Sequence, residues 1–68
     1  MKIMRVNEVI SRCRTDQSVQ IYYDGKYVEG TVFEIVAIEG YRLNRIGDML
    51  VTGILSDDSY LIIRAVKA

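Results

Sequence analysis

The sequence predicts a small α+β domain in which one short N-terminal helix packs on a mostly antiparallel sheet built from two β-hairpins. Three observations carry that prediction. Val6, Val9, Ile10 and Cys13 recur at i, i+3, i+4 and i+7, the stripe that one face of a helix presents. Asp24-Gly25 stands between two runs rich in β-branched and aromatic residues, which is the strongest short-range signal for a hairpin. Ser56-Asp57-Asp58-Ser59 is a polar interruption between two long apolar runs and reads as the turn of a second hairpin.

The helix is expected from about residue 6 to residue 14, with Glu8, Ser11, Arg12 and Arg14 facing outward and no capping box at its start. Residues 15–18 then form a polar linker. In the first hairpin a two-residue turn at Asp24-Gly25 sets Tyr23 opposite Lys26, Tyr22 opposite Tyr27, Ile21 opposite Val28, Gln20 opposite Glu29 and Val19 opposite Gly30. Alternation then places Val19, Ile21, Val28 and Val32 on the core face. Gln20, Tyr22, Tyr27 and Glu29 take the other, with the two tyrosines as a cross-strand pair. Residues 33–45 mix β-branched residues with helical spacing, and a short helical turn followed by a loop is the expectation. Ile46-Gly47-Asp48 reads as a turn into the last hairpin.

Closing that hairpin on Asp57-Asp58 pairs Leu55 with Tyr60, Ile54 with Leu61 and Val51 with Arg64. One face carries Leu50, Ile54, Leu61, Ile63 and Ala65. The other carries Val51, Leu55, Tyr60 and Ile62 beside Arg64, so both faces are apolar. A single helix and a turn cover only one side of a four-stranded sheet. Self-association as a homodimer or larger oligomer through Val51, Leu55, Tyr60 and Ile62 is therefore expected.

Composition narrows the function. At 68 residues the chain forms one domain, residues 1–68; half of it is hydrophobic, 26% is charged and Pro is absent, which is not the composition of a disordered segment. Nine basic and nine acidic residues cancel, so no net field points to nucleic acid or an anionic membrane. One cysteine and no histidine leave no internal disulfide, no tetrahedral zinc site and no histidine-activated nucleophile. No apolar run reaches the ~18–20 residues of a spanning helix. A cytoplasmic protein with Cys13 reduced is the expectation, and neither a catalytic residue nor a cofactor nor a metal is assigned.

The remaining candidates are binding residues. Cys13 lies on the helix stripe and reads as a small core hydrophobe. Asp57 and Asp58 read as turn residues, and a metal or acid pair would need Asp48 to join them. Lys2, Arg5, Arg12 and Arg14, joined by Arg42 and Arg45, offer contacts to phosphates, and Tyr22, Tyr27 and Tyr41 offer stacking, although no Gly-rich phosphate loop is present. Tyrosine also supplies large contact area at low entropic cost, which makes Tyr22 and Tyr27, with Gln20 and Glu29 beside them, candidate contacts to a partner protein.

The segments Val6-Asn7-Glu8-Val9-Ile10, Val19-Gln20-Ile21-Tyr22-Tyr23-Asp24-Gly25-Lys26 and Ser59-Tyr60-Leu61-Ile62-Ile63, in this order and length, resemble small proteins of phages and prophages of Gram-positive bacteria. Some proteins of that kind inhibit host defence, anti-CRISPR proteins among them. The resemblance implies a non-enzymatic protein that binds a host protein stoichiometrically, for example a CRISPR effector nuclease. The neutral charge balance departs from the acidic inhibitors that imitate DNA. The alternative is a small nucleic-acid or nucleotide binder that uses the N-terminal basic residues.

Overall fold

A two-residue hairpin turn wants both of its residues in the left-handed region, and Asp24 (φ 48°) and Gly25 (φ 73°) provide it. In the computed structural model of the chain, which describes residues 4–57 and 59–68, this turn joins β1 (Ser18–Tyr23) to the antiparallel β2 (Lys26–Thr31). The register is the predicted one, from Tyr23 opposite Lys26 to Val19 opposite Gly30. Val19, Ile21 and Tyr23 are buried on one face, while Gln20 and Tyr22 turn to the other.

The strand predicted to run through Val32 ends one residue earlier, because Thr31 caps a helix. Glu34 N–H donates to Thr31 Oγ1 at 3.2 Å and Thr31 N–H donates to Glu34 Oε1 at 2.9 Å, a reciprocal capping box. Residues 33–45 therefore form two helices, α2 (Val32–Ala37) and α3 (Glu39–Leu43), separated by extended Ile38, rather than one turn and a loop. Thr31's N–H, and secondarily its hydroxyl, hold the Glu34 carboxyl below its ordinary range. A depressed folded-state value means that this contribution is present above the unfolded-state pKa and is lost as pH falls through the folded one. Thr31→Ala removes the acceptor of the Glu34 N–H but keeps the Thr31 N–H that holds the carboxylate, so it should lower stability by about 1 kcal/mol in urea titrations at neutral and acidic pH alike. An unchanged urea midpoint would remove the cap from the account.

At the N-terminal end, α1 (Val6–Ile10) is shorter than the stripe predicts. Glu8 Oε1 accepts from Arg5 N–H at 3.1 Å, but Arg5 has no side-chain acceptor to return the bond. Cys13 lies beyond the helix yet remains half-buried against the core, its thiol 3.3 Å from the Val9 carbonyl oxygen.

The sheet runs β2-β1-β4-β3, where β3 (Leu50–Asp57) and β4 (Tyr60–Val66) form the second hairpin and β4 lies parallel to β1. The fold is α+β with a mixed sheet. Edge strands β2 and β3 run in the same direction, so residues 32–49 must return along the sheet and cross its width, as any connection between parallel strands must. That crossover lays α2, α3 and the 3₁₀ turn η1 (Ile46–Asp48) over one face. Between them and the sheet lies the core: Val6, Val9 and Ile10 of α1, Val32 and Ile35 of α2, Ile46 and Met49, against Val19, Ile21, Ile63 and Ala65.

The second hairpin corrects two expectations. Asp57 pairs with Tyr60, Leu55 with Ile62 and Ile54 with Ile63, a register two residues away from the predicted one, which leaves each of these side chains on its predicted face. Asp58, half of the predicted turn, lies outside the described residues. An irregularity between Val51 and Gly53 breaks the alternation, so Val51 pairs with Ala65 and packs on the core instead of the outer face. Thr52, in the bulge, donates its hydroxyl to the Arg64 carbonyl at 3.3 Å.

Candidate binding surface

With the helices on one side, the other face of the sheet meets solvent, and the three strand pairings arrange its side chains in rows. Tyr27, Tyr22, Arg64 and Gly53 form one row, and Glu29, Gln20, Ile62 and Leu55 the next. Thr31, Ser18, Tyr60 and Asp57 form a third, and Val66 beside Leu50 lies at the opposite end of the face. Tyr27 and Leu55 are each 59% exposed, Tyr22 42% and Tyr60 37%, far more than a solvated polar face requires.

One half of this face is internally ordered. The Tyr22 and Tyr27 rings stack with centroids 5.4 Å apart and planes inclined by 23°. Tyr22 donates its hydroxyl to Gln20 Oε1 at 3.2 Å, and Gln20 Nε2 donates to Glu29 Oε1 at 2.9 Å. Four side chains are thus held before anything binds, which reduces the entropy lost on association. The other half carries Leu55, Ile62 and Tyr60 beside Arg64 and Asp57.

All four predicted partner contacts, Gln20, Tyr22, Tyr27 and Glu29, lie on this face. So do Leu55, Tyr60 and Ile62 of the predicted oligomer interface, because the parallel pairing sets Ile62 beside Gln20 and Tyr60 beside Ser18. The two surfaces expected from the separate hairpins are one. Val51 is the exception, drawn to the core by the bulge.

The described N-terminal basic residues have different surroundings. Arg5 donates through Nη1 to the Asp48 carbonyl at 2.7 Å, whereas Arg14 is paired at 3.3 Å with Asp16 on the exposed loop. Arg12 is exposed, and Lys2 lies outside the described residues. Tyr41, a predicted stacking residue, is half-buried and donates its hydroxyl to Asn7 Oδ1, tying α3 to α1. Burial first, and the charge of Asp48 second, raise its phenol above the ordinary range. Asp48 precedes β3 and Asp57 ends it, so the two carboxylates lie at opposite ends of the strand. Among the described residues no three Cys, Asp or Glu side chains gather as metal ligands would.

A second concavity has no counterpart in the sequence motifs. It is an open groove of about 790 Å³ beside the Asp24-Gly25 turn, and its walls include Arg5, Lys26, Arg45 and Lys67 together with Asp24 and Asp48. These residues come from five separate stretches of the chain, and only the fold collects them.

No protein-family model matches this chain, and neither a curated protein nor a solved structure does. Function is therefore read from the surface itself. Among the described residues no helix is long and apolar enough to cross a membrane. An exposed aromatic and aliphatic sheet face with a pre-ordered polar flank is suited to burying area against another protein.

Proposed function

We propose that this chain is a non-enzymatic binding protein that associates stoichiometrically with a partner protein through the open face of its sheet. The observation that carries the reading is the continuity of Tyr22, Tyr27, Tyr60, Ile62 and Leu55 across all four strands. Tyrosine and isoleucine there supply area, and Glu29 and Arg64 supply the charges that set register. Because Leu55, Tyr60 and Ile62 lie on the same face, self-association and partner binding compete for it: a homodimer formed through this face opens when the partner is engaged. The resemblance to phage proteins makes a host defence nuclease, such as a CRISPR effector, the partner to test first.

The experiment is capture of proteins by the tagged chain from lysate of a Gram-positive host with active CRISPR–Cas, washed at moderate and at high salt. One protein should be retained at high salt by the wild type and lost, with the chain still folded, from the Tyr22→Ala/Tyr27→Ala double variant; hot-spot truncations of this kind lower affinity by about tenfold or more each. Equal retention by the double variant would contradict the reading. Recovery of nucleic acid that salt removes would instead favour the basic residues.

A further inference from the structure

We propose that the groove beside the β1–β2 turn binds the phosphate groups of a small nucleotide. This goes beyond the protein-binding reading, because none of the residues lining the groove belongs to the open face described above. The parallel pairing builds one wall. Tyr23 lies beside Ala65, so β1 and β4 bring their carboxyl ends to a common rim, followed at once by Asp24 through Lys26 on one strand and by Lys67 on the other. α3 and η1 build the opposite wall with Leu43, Arg45 and Asp48.

Four cationic side chains, Arg5, Lys26, Arg45 and Lys67, face two acidic ones, Asp24 and Asp48, an excess of two positive side-chain charges (4 − 2). The bond from Arg5 to the Asp48 carbonyl fixes that guanidinium at the rim and leaves its other N–H groups available. Lys26, Arg45 and Lys67 form no ion pair with any described residue, and the pair of Arg14 with Asp16 lies elsewhere. Like charges gathered without partners repel one another, and a bound polyanion reverses the sign of that interaction. Arg45 is also one of only two non-glycine residues in the left-handed region among those described (φ 53°), a conformation that clusters at ligand sites.

The size and walls favour a small ligand over a polymer. About 790 Å³ is within the range of about 300–1,000 Å³ that small-molecule sites occupy. Leu43, 67% exposed, offers apolar surface to a base or sugar. A nucleic-acid strand would need a basic track leading away from the groove, whereas Arg14, outside it, is already paired with Asp16. Asp24 and Asp48 oppose weakly charged anions, so a triphosphate should be preferred to inorganic phosphate.

The test is calorimetric titration of the full chain with ATP at low and high salt, with adenosine, inorganic phosphate and a short oligothymidylate as comparison arms. ATP should saturate a single site, weaken steeply as salt rises, and bind at least about tenfold more tightly than adenosine or phosphate. Lys26→Ala with Lys67→Ala should weaken ATP by about tenfold, and Arg45→Gly, which suits the left-handed backbone, should weaken it with the circular dichroism unchanged. Arg12→Ala, outside the groove, should bind as wild type. Absence of saturable ATP binding at low salt would overturn the proposal, as would equal affinity in the folded variants. Tighter binding of the oligothymidylate than of ATP at equal phosphate concentration would overturn it in favour of a polymer.

Discussion

Truncation of Ile21 to alanine should leave most of the chain unfolded at room temperature. Ile21 is fully buried at the centre of β1, opposite Val28 on one side and beside Ile63 on the other, so no neighbouring surface side chain can relax into the space it leaves. Removing three buried carbons from such a site costs about 2–5 kcal/mol, the transfer term plus the cavity. A single core in a chain of this size supplies roughly 3–5 kcal/mol in total. Loss and reserve are comparable, which is why this substitution should have the largest effect of those considered. Ile21→Val, at about 0.5–1.5 kcal/mol, should stay folded and serve as the graded control. Urea unfolding followed by circular dichroism reads both; an Ile21→Ala midpoint equal to that of wild type would mean that the core is not where the sheet places it.

Gly47→Ala is the second large effect, and it acts through one contact. Gly47 is buried in η1, and a Cβ built there overlaps the side chain of Asn7. Asn7 is not free to swing away, because its Oδ1 accepts the Tyr41 hydroxyl. Either that bond breaks and half-buried Tyr41 loses its partner, or η1 moves and carries Ile46 and Met49 out of the core. Overpacking of this kind costs about 1–3 kcal/mol. The cause can be isolated with a double-mutant cycle: in an Asn7→Ala background the clash is gone, so Gly47→Ala should be nearly silent there. Additive effects of the two substitutions would place the strain elsewhere.

Local chemistry made much of this fold legible. Asp24-Gly25 dictated a turn, the turn dictated the register, and the register put Gln20, Tyr22, Tyr27 and Glu29 together before any tertiary contact was considered. Thr31-Val32-Phe33-Glu34 carries the same kind of local signal, a capping box in front of an apolar run, but β-branched Val32, Ile35 and Val36 mask it by reading equally well as strand. The bulge at Thr52 has no comparable marker, and it alone moves Val51 from the outer face to the core. The parallel pairing of β1 with β4 is non-local, and its trace in the sequence is the apolar character of both faces of Tyr60–Val66, as a central strand requires. That pairing is what joins two half-surfaces into one and assembles the groove, so the extent of either site could not be read from segments taken singly.

The open face is not the molecule's one exposed apolar surface: Phe33, 67% exposed, and Val36 project from α2 on the helical side. The measurement that separates them is photo-crosslinking in host lysate, with a photoreactive phenylalanine derivative placed at Tyr27, at Tyr60 or at Phe33 in otherwise wild-type chain. Aromatic replacement at these exposed positions preserves shape and folding. Occupation of the sheet face predicts a single adduct of the same mass from positions 27 and 60 and none from position 33. An adduct from position 33 with none from 27 or 60 would contradict it and move the working surface to the helices.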